Sequence, residues 1–423
     1  ISLSHEVNPE YREYERTSTT IVNAFVAPII ERYLADLERR LAETGVSAAL
    51  HVMHSGGAAQ TGRAARSRPI TTILSGPAAG VIGAEALGRE IGVPDLITLD
   101  MGGTSTDVAL LRQGKPTLAS ESELAGEVIR AAMLDITTIG AGGGSIAWAD
   151  EGGRLKVGPQ SAGADPGPAC YGRGGTQPTV TDANLVLGYL GADAFLGGRM
   201  RLDRAAAEAA IDRLAAELGL SRLETAHGIF RIANANMLRA IRLVSVERGL
   251  DPRRFALLAF GGAGPVHAAA LAAELDIPRV IVPRNPGNFS AFGLLVADLS
   301  RDAVRTQLTP LRPEALDGIR QVYVDLEAQL TEQFVADGFD PGQVVFRRSV
   351  DARYVGQAYE VNVTVPVGLL APSDVGALEE AFHAAHAERY GHSAPGEPVE
   401  LVNFRAIATV PTAKPAFPRL ERT

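Results

Sequence analysis

The segment that most limits how this chain can fold is a glycine-rich turn between two apolar runs, at residues 96–111. The first run ends in Asp100, and its apolar character predicts a buried strand that carries this carboxylate to the edge of a sheet. The second run, 107–111, predicts a strand that returns beside it. Gly102 and Gly103 allow a tight turn between the two, with amide groups free to face an anion. We therefore expect a sheet with a polar turn at one edge.

The residues of this turn suit a polyphosphate. Thr104 and two further hydroxyl residues follow the glycines. Asp100 could hold Mg²⁺ through water, since Mg²⁺ keeps several waters and is usually bound by one or two carboxylates together with phosphate oxygens. The alternative is a plain β-hairpin with a Gly-Gly turn and an Asp cap. The residues alone leave both interpretations open.

A second glycine turn follows the apolar run 255–260 and precedes a predicted helix, 265–275. It contains Gly261, Gly262 and Gly264. A helix N-terminus attracts phosphate, and glycines let a flat ring approach the backbone. Many α/β loops share this pattern. It therefore supports a phosphate-binding site only in combination with the first turn.

A third glycine segment, Gly142 to Ser145, begins like the dinucleotide pattern Gly-x-Gly-x-x-Ala. That interpretation is rejected, because residues 150–153 (Asp-Glu-Gly-Gly) cannot continue the helix that the pattern requires. A P-loop is excluded as well. The chain has three lysines, and none stands in Gly-x-x-x-x-Gly-Lys-Ser/Thr; Lys115, for example, is followed by Pro116.

The histidines show no metal-binding pattern. His51 and His54 are three residues apart on a predicted strand and would face opposite sides. His383 and His386 share one face of a predicted helix, which favours a packing role over a metal site.

Cys170 is the single cysteine, so it cannot form an internal disulfide. It could be a nucleophile, but no local histidine would activate it, and a buried free thiol is the more common case. Asp182 most simply caps a helix that starts near Ala183. A polar role at an active site is the alternative for Asp182.

Periodicity divides the chain at about residue 305. A long helix with N-cap hydroxyls at 17–20, a strand at 70–74 and alternating strands, turns and helices indicate an α/β region over 1–305. Within it, 139–181 is rich in Gly and Pro and is expected to be an ordered functional loop. Residues 306–423 alternate two helices with strand-like runs, which predicts an α+β domain.

Charge and hydropathy exclude some classes of binding partner and location. The net charge is −9 without a basic cluster, which argues against nucleic acid. The chain contains no run of 18 apolar residues, which a membrane-spanning helix would need. The N-terminus lacks the features of a signal peptide, so a cytoplasmic location is expected.

Several motifs, in order along nearly the whole chain, resemble the hydantoinase A/5-oxoprolinase family of the actin-like ATPase superfamily. They are Ser75-Gly76-Pro77-Ala78-Ala79-Gly80, Asp100-Met101-Gly102-Gly103-Thr104, Gly140-Ala141-Gly142-Gly143-Gly144-Ser145, Pro166-Gly167-Pro168-Ala169-Cys170-Tyr171-Gly172, Phe260-Gly261-Gly262-Ala263-Gly264-Pro265, Ser290-Ala291-Phe292-Gly293 and Gly356-Gln357-Ala358-Tyr359-Glu360.

The resemblance implies an α/β fold: an actin-like ATPase (ribonuclease H-like) nucleotide-binding lobe over 1–305 and a C-terminal α+β domain over 306–423. It implies ATP and Mg²⁺ as cofactors. Asp100 would be the catalytic and metal-binding carboxylate. The remaining residues would bind the nucleotide: Gly102, Gly103 and Thr104 at the phosphates, Gly142, Gly143, Gly144 and Ser145 closing over them, and Gly261, Gly262 and Gly264 at the adenosine.

The chain departs from the family in one respect. Members normally begin with an N-terminal lobe that carries its own Asp-x-Gly-Gly-Thr motif, whereas this chain has one such motif and no initiator Met. The resemblance therefore implies half of a nucleotide cleft, with the other lobe supplied in cis or in trans, and a hydantoinase B-type partner subunit.

The implied activity is ATP-dependent hydrolytic ring opening of a cyclic amide, such as a hydantoin or 5-oxoproline, through phosphorylation of the amide oxygen. The related ketone carboxylases, for acetone or acetophenone, would use the same phosphorylation on an enolate. A non-catalytic fragment or assembly subunit is the third alternative. The sequence does not decide among them.

Overall fold

Two compact units are interleaved along the chain. In this computed structural model, which describes residues 1–119, 121–124, 126–366 and 374–415, the central unit comprises Gly76–Ala119 and Leu134–Val296. The terminal unit comprises Ile1–Ser75, Ser120–Met133 and Ala297–Thr423. The fold is mixed α/β.

The central unit carries most of its strands before residue 162 and most of its helices after it. Its described strands are Leu96–Met101, Thr106–Arg112, Lys115–Pro116, Leu118–Ala119, Ile136–Ile139, Ser145–Ala149, Leu155–Ser161, Ala256–Phe260 and Val280–Ile281. Its described helices are Ser75–Ile91, Val180–Val186, Arg204–Leu218, Arg222–Val244, Gly264–Glu274 and Phe289–Val296.

The main sheet of the central unit is mixed. Strand Leu96–Met101 lies between Thr106–Arg112, which is antiparallel to it, and Ala256–Phe260, which is parallel to it. Five of the six residues of Leu96–Met101 are buried, as expected for a strand covered on both faces. Helices Arg204–Leu218 and Arg222–Val244 contribute the buried aliphatic side chains of the same core.

The terminal unit is built on a six-stranded sheet. In order, its strands are His51–Met53, Ala59–Thr61, Leu299–Pro310, Val399–Val410, Val345–Tyr354 and Val361–Val365. Hairpin strands Ser122–Leu124 and Glu127–Ile129 belong to the same unit, and the short strand Met133–Leu134 spans a segment boundary. The described helices of this unit are Ser4–Val7, Glu13–Glu43, Gly62–Ser67, Leu316–Ala336 and Asp374–Tyr390.

Two predicted elements are wrong. The predicted strand at 70–74 is a 3₁₀ turn, Pro69–Thr72. Pro69 fixes its own φ at the start of this turn, and the hydroxyls of Thr71 and Thr72 donate to the carbonyls three residues earlier, which favours a turn over a strand. The predicted N-cap at 17–20 lies inside a helix that begins at Glu13, where the hydroxyls of Thr19 and Thr20 donate to carbonyls four residues back.

The glycine- and proline-rich segment 139–181 is more regular than its composition indicates. It contains an antiparallel hairpin of Ser145–Ala149 and Leu155–Ser161. Asp150 Oδ1 accepts hydrogen bonds from the amides of Gly152 (3.0 Å) and Arg154 (2.9 Å) and thereby closes the turn. Such an Asx turn needs only one aspartate and a glycine, so it leaves little trace in the apolar periodicity.

The units do not follow the predicted boundary at residues 305/306, because residues 1–75 belong with the C-terminal segment in the terminal unit. The boundary itself remains a prediction about sequence domains. Among the described residues, no helix is both long and apolar enough to cross a bilayer.

Candidate functional site

The candidate site lies where two neighbouring parallel strands of the central unit end. Strands Leu96–Met101 and Ala256–Phe260 are paired in register, with Phe260 opposite Asp100. Their carboxyl ends therefore lie at the same edge of the sheet. The two glycine turns that follow them, which are 160 residues apart in sequence, meet there.

The first turn exposes unused amide groups. The Gly102 amide donates to the Ser105 carbonyl at 3.0 Å and closes the turn. Gly103 and Thr104 are exposed, and within the described residues their amides have no hydrogen-bond acceptor. This turn can therefore donate two backbone hydrogen bonds to an anion.

The third glycine segment packs directly on the first turn. The amides of Gly143 and Gly144 donate to the carbonyls of Gly102 (3.0 Å) and Gly103 (2.6 Å). A Cβ on Gly142 would lie 2.6 Å from the Gly103 carbonyl oxygen, so only glycine fits. The Gly142 amide is also bonded internally, to Ser145 Oγ at 2.9 Å. These amides are used up by protein acceptors, which favours a supporting role for the segment.

The second turn fits against the strand that carries Asp100. The Ala263 amide donates to the Met101 carbonyl at 2.9 Å. Gly261 has a φ of +79°, and a Cβ there would lie 2.5 Å from Asp100 Oδ1. The amides of Gly262 and Gly264 have no acceptor in the described parts of the chain, so this turn too can donate to a ligand.

Asp100 sits between the two turns in a place that disfavours its charge. The pKa of Asp100 is raised to about 6, mainly by burial and in part by the charge of Asp107, against a hydrogen bond from Ser290 Oγ (3.0 Å) that lowers it. Asp107 is paired with Asp100 across the two strands. Burial also raises the pKa of Asp107, against a hydrogen bond from the Thr138 hydroxyl at 2.5 Å.

Asp100 and Asp107 both have raised pKa values, and a cation bound between them would favour their ionised forms. The pair is therefore suited to bind a cation. The described residues contain no group of three or more His, Cys, Asp or Glu side chains arranged for a metal. Two carboxylates beside free backbone donors nevertheless fit Mg²⁺, which keeps waters and shares its remaining positions with phosphate. The donor set therefore fits a hydrated Mg²⁺ bound together with a polyphosphate.

The structure thus brings together all three predicted glycine segments and Asp100. Sequence reasoning had not named Asp107 or Ser290 as site residues. Asp107 could have been found, since it stands two residues after the turn 102–105, as Asp100 stands two residues before it, and a tight hairpin pairs such positions. Ser290 follows Asp100 by 190 residues, and no local pattern links the two.

Cys170 lies in the same unit but is unsuited to act as a nucleophile. Its side chain is fully buried, and burial together with Asp182 raises the pKa of the thiol far above its usual range. A thiol held neutral is unreactive.

Asp182 is the third residue of the helix that it was predicted to cap, and the N-cap is Thr179. The Asp182 carboxylate accepts hydrogen bonds from the amides of Thr179 (2.9 Å), Ala169 (3.2 Å) and Cys170 (2.8 Å). It therefore ties the 3₁₀ turn Ala169–Tyr171 to helix Val180–Val186. The next residue back, Thr181, donates its hydroxyl to the Gly143 carbonyl at 2.7 Å, so this tie continues to the glycine segments.

Comparisons with known proteins cover the whole chain. A family model described as hydantoinase/oxoprolinase matches residues 16–303, and one described as hydantoinase/oxoprolinase C-terminal domain matches residues 311–423.

Individual relatives agree with these family models. The caprolactamase subunit alpha of Pseudomonas jessenii is 40% identical over 432 residues, which cover 99% of this chain and 61% of that protein. The crystal structure of the ATP-dependent caprolactamase from the same organism matches with a TM-score of 0.80 at 39% identity, over 99% of this chain and 61% of the other. A nucleotide-free acetone carboxylase structure, from work on ATP-dependent acetone carboxylation, matches with a TM-score of 0.85 at 29% identity, again over 99% and 61%. The chain therefore spans about three fifths of the length of these relatives.

Proposed function

This chain belongs to the hydantoinase/oxoprolinase family, and from that premise we propose that its central unit binds Mg-ATP and takes part in phosphorylating a cyclic amide. The observation that carries the proposal is the meeting of two glycine turns with free amides at the ends of adjacent parallel strands, with Asp100 between them. The arrangement suits an actin-like ATPase lobe, in which one turn grips phosphates and the other holds adenosine.

Each predicted site residue has a specific role in this proposal. The amides of Gly103 and Thr104 donate to phosphate oxygens, and Gly102 shapes their turn. Gly261, Gly262 and Gly264 leave room for the adenosine beside the backbone. Gly142, Gly143, Gly144 and Ser145 hold the first turn in place from behind, through the bonds from their amides.

Asp100 and Asp107 would hold Mg²⁺. Bound there together with the nucleotide, the ion would neutralise charge on the β- and γ-phosphates. Ser290 fixes the orientation of Asp100 through its hydrogen bond to Oδ2. The burial that raises the pKa of Asp100 makes this carboxylate responsive to any cation near it.

The substrate class that we propose is a cyclic amide of the lactam, hydantoin or 5-oxoproline type. Transfer of the γ-phosphoryl group to the amide oxygen releases ADP and turns that oxygen into a leaving group. Water then adds to the activated carbon, expulsion of the ring nitrogen breaks the C–N bond and leaves an acyl phosphate, and a second water hydrolyses that acyl phosphate to the carboxylate and inorganic phosphate. The relative named caprolactamase supports this class, because caprolactam is a cyclic amide. The use of ATP fits a cytoplasmic location.

Complete activity is proposed to require further protein. The relative's name, subunit alpha, points to a multi-subunit enzyme, and we expect a hydantoinase B-type subunit to supply the hydrolytic step. An N-terminal lobe, in cis or in trans, would complete the nucleotide cleft.

Calorimetric titration with Mg-ATP tests the nucleotide site. We expect saturable binding to the chain, alone or with the N-terminal lobe of a relative added. Asp100→Asn should remove it, because the variant cannot supply the carboxylate charge. Asp95→Asn is the matched control, since Asp95 precedes the opposite end of the same strand, where it accepts from the Gln113 amide at 2.7 Å. Absence of binding even with the added lobe would contradict the nucleotide assignment and favour an assembly subunit.

A second candidate function is the ATP-dependent carboxylation of a ketone. The TM-score of 0.85 with an acetone carboxylase favours it. An ATP-hydrolysis assay with the purified complex separates the two. Stimulation by caprolactam, hydantoin or 5-oxoproline without bicarbonate supports ring opening, whereas stimulation by acetone or acetophenone that requires bicarbonate supports carboxylation.

A further inference from the structure

A cavity of about 770 Å³ lies wholly within the terminal unit. Its walls come from helix Gly62–Ser67, strand Leu299–Pro310, helix Leu316–Ala336 and residues near the N-terminus. This volume falls in the range of about 300–1,000 Å³ that is typical of small-molecule sites. The proposed nucleotide site uses none of these residues.

Four arginines line the cavity, and two of them already form ion pairs with acids of the same unit. Arg301 is paired with Asp337 and also donates to Gln333 at 3.1 Å. Arg305 is paired with Asp325 at 2.8 Å. The other two arginines, Arg63 and Arg68, make only long polar contacts with the protein.

Arg68 has an unsatisfied donor. Its Nη1 lies 3.4 Å from Asp302 Oδ2, a long ion pair. Its Nε is buried and has no acceptor among the described residues. A buried N–H without an acceptor is destabilising, so a native structure usually satisfies it with water or a ligand.

Two further donors line the same cavity. His54 Nδ1 accepts from the Gly56 amide at 2.7 Å, which leaves the ring proton on Nε2. Nε2 lies 3.8 Å from Asp302 Oδ1, beyond hydrogen-bond distance. Arg63 is exposed, and its one hydrogen bond within the described residues is a long one, 3.5 Å to the Ala336 carbonyl.

We propose that this cavity is a second ligand site, which binds the carboxylate or phosphate group of a small molecule through Arg68, Arg63 and His54. An oxyanion supplies two or three acceptor oxygens, which matches these donors, and a guanidinium binds it with charge-assisted hydrogen bonds. Three acids also line the cavity: Glu6 at the exposed rim, Asp302 in the wall and Asp337, which is paired with Arg301. Their charges disfavour a polyanion, so the ligand carries one oxyanion group at this place.

Titration calorimetry on the 423-residue chain tests the proposal, with succinate and inorganic phosphate as separate probes at constant ionic strength in chloride. We expect one of them to bind saturably, and the responding probe identifies the oxyanion as a carboxylate or a phosphate. Arg63→Gln should weaken this binding about tenfold, as expected for one charge-assisted hydrogen bond. Arg68→Gln should also weaken it, since it removes a guanidinium that lines the cavity.

Arg66→Gln is the matched control. Arg66 lies on the same helix, but it is paired with Glu38 at 2.5 Å and does not line the cavity, so binding should be unchanged. Arg68→Gln also removes the ion pair to Asp302, so a loss of binding in that variant has two explanations. The Arg63→Gln variant is therefore the deciding test, because Arg63 is exposed. Circular dichroism checks that each variant is folded. The proposal is overturned if neither probe binds, or if the affinity of the Arg63→Gln variant equals that of the Arg66→Gln variant.

Discussion

The two units use different parts of the chain to bring groups close together. In the central unit the close approaches are between backbones: Gly142 lies against the Gly103 carbonyl, Gly261 against Met101, and Gly293 against Ala79. In the terminal unit the corresponding contacts are between charged side chains, such as the partly exposed Arg405 with the buried acids Asp351 and Glu10. The central unit should therefore be most sensitive to an added methyl group, and the terminal unit to a removed charge.

The largest effect is expected at Gly293 in the central unit. A Cβ there would lie 1.7 Å from the Ala79 carbonyl oxygen and 3.0 Å from the Gly83 amide nitrogen, so two helices would have to move apart. Gly293→Ala should lower the free energy of unfolding by about 3 kcal/mol or more, measured by urea denaturation. Gly287→Ala, with no atom within 4 Å of its Cβ, should change it by less than about 1 kcal/mol. Equal effects of the two substitutions would show that close backbone packing does not make the central unit sensitive to an added methyl group.

In the terminal unit, Arg405→Leu should be strongly destabilising. Arg405 donates to Asp351 at 2.8 Å and to Glu10 at 2.5 Å, and both acids are buried. Loss of one partner of a buried ion pair costs about 3–5 kcal/mol; a value near the low end is expected because Arg130 also pairs with Glu10, at 2.5 Å.

Arg305→Leu is the control for this variant. Arg305 lies on the neighbouring strand, opposite Phe404, and its side chain and that of Asp325 are each 40% exposed. An exposed pair of this kind contributes about 0–1 kcal/mol. A similar loss of stability for both variants would show that burial of the charges does not set the effect.

Each unit has a histidine whose pKa is lowered by burial, and this should make the stability of the fold depend on pH. Burial lowers the pKa of His267, in the central unit, and of His54, in the terminal unit, to about 4. The unfolded chain therefore binds more protons than the folded chain between about pH 6.5 and pH 4, so stability falls as the pH is lowered through this window. For the fully buried His267 the loss is about 3 kcal/mol.

His267→Gln and His54→Gln check this prediction. The slope of unfolding free energy against pH should decrease between pH 6.5 and pH 4 in each variant. Unchanged slopes in both would show that other groups account for the acid sensitivity.

The smallest effect concerns Asp100. Its folded pKa of about 6 lies above that of an unfolded aspartate, so its charge destabilises the fold at every pH above about 6. Asp100→Asn, which keeps an acceptor for Ser290, should be more stable than wild type at pH 7 by about 1 kcal/mol, while losing nucleotide binding. The gain should vanish at pH 4, where Asp100 is protonated in the folded chain. A loss of stability at pH 7 would show that the carboxylate has a structural role.

Much of the local structure followed from the sequence. The strand at 96–101, the turn at 102–103 and the helix at 264–274 were predicted within a few residues, because apolar runs and glycine turns set them locally. The errors at 70–74 and 17–20 came from threonine hydroxyls that bond to nearby carbonyls, which the apolar pattern does not report. The hairpin inside 139–181 was missed for a similar reason, since a single Asx turn closes it.

By itself, the sequence determined which residues could form a phosphate site: glycines in tight turns, and an aspartate at the end of a strand. Only the tertiary structure decided that the turns at 102–103, 142–144 and 261–264 meet, because the parallel pairing of two distant strands sets that distance. It also decided that Asp107 and Ser290 accompany Asp100, and that Arg68, with a long ion pair to Asp302 and a buried Nε without an acceptor in the described residues, lines a cavity. The pKa of a carboxylate and the unmet hydrogen bond of an arginine depend on burial, and burial is a property of the packed chain rather than of any residue in it.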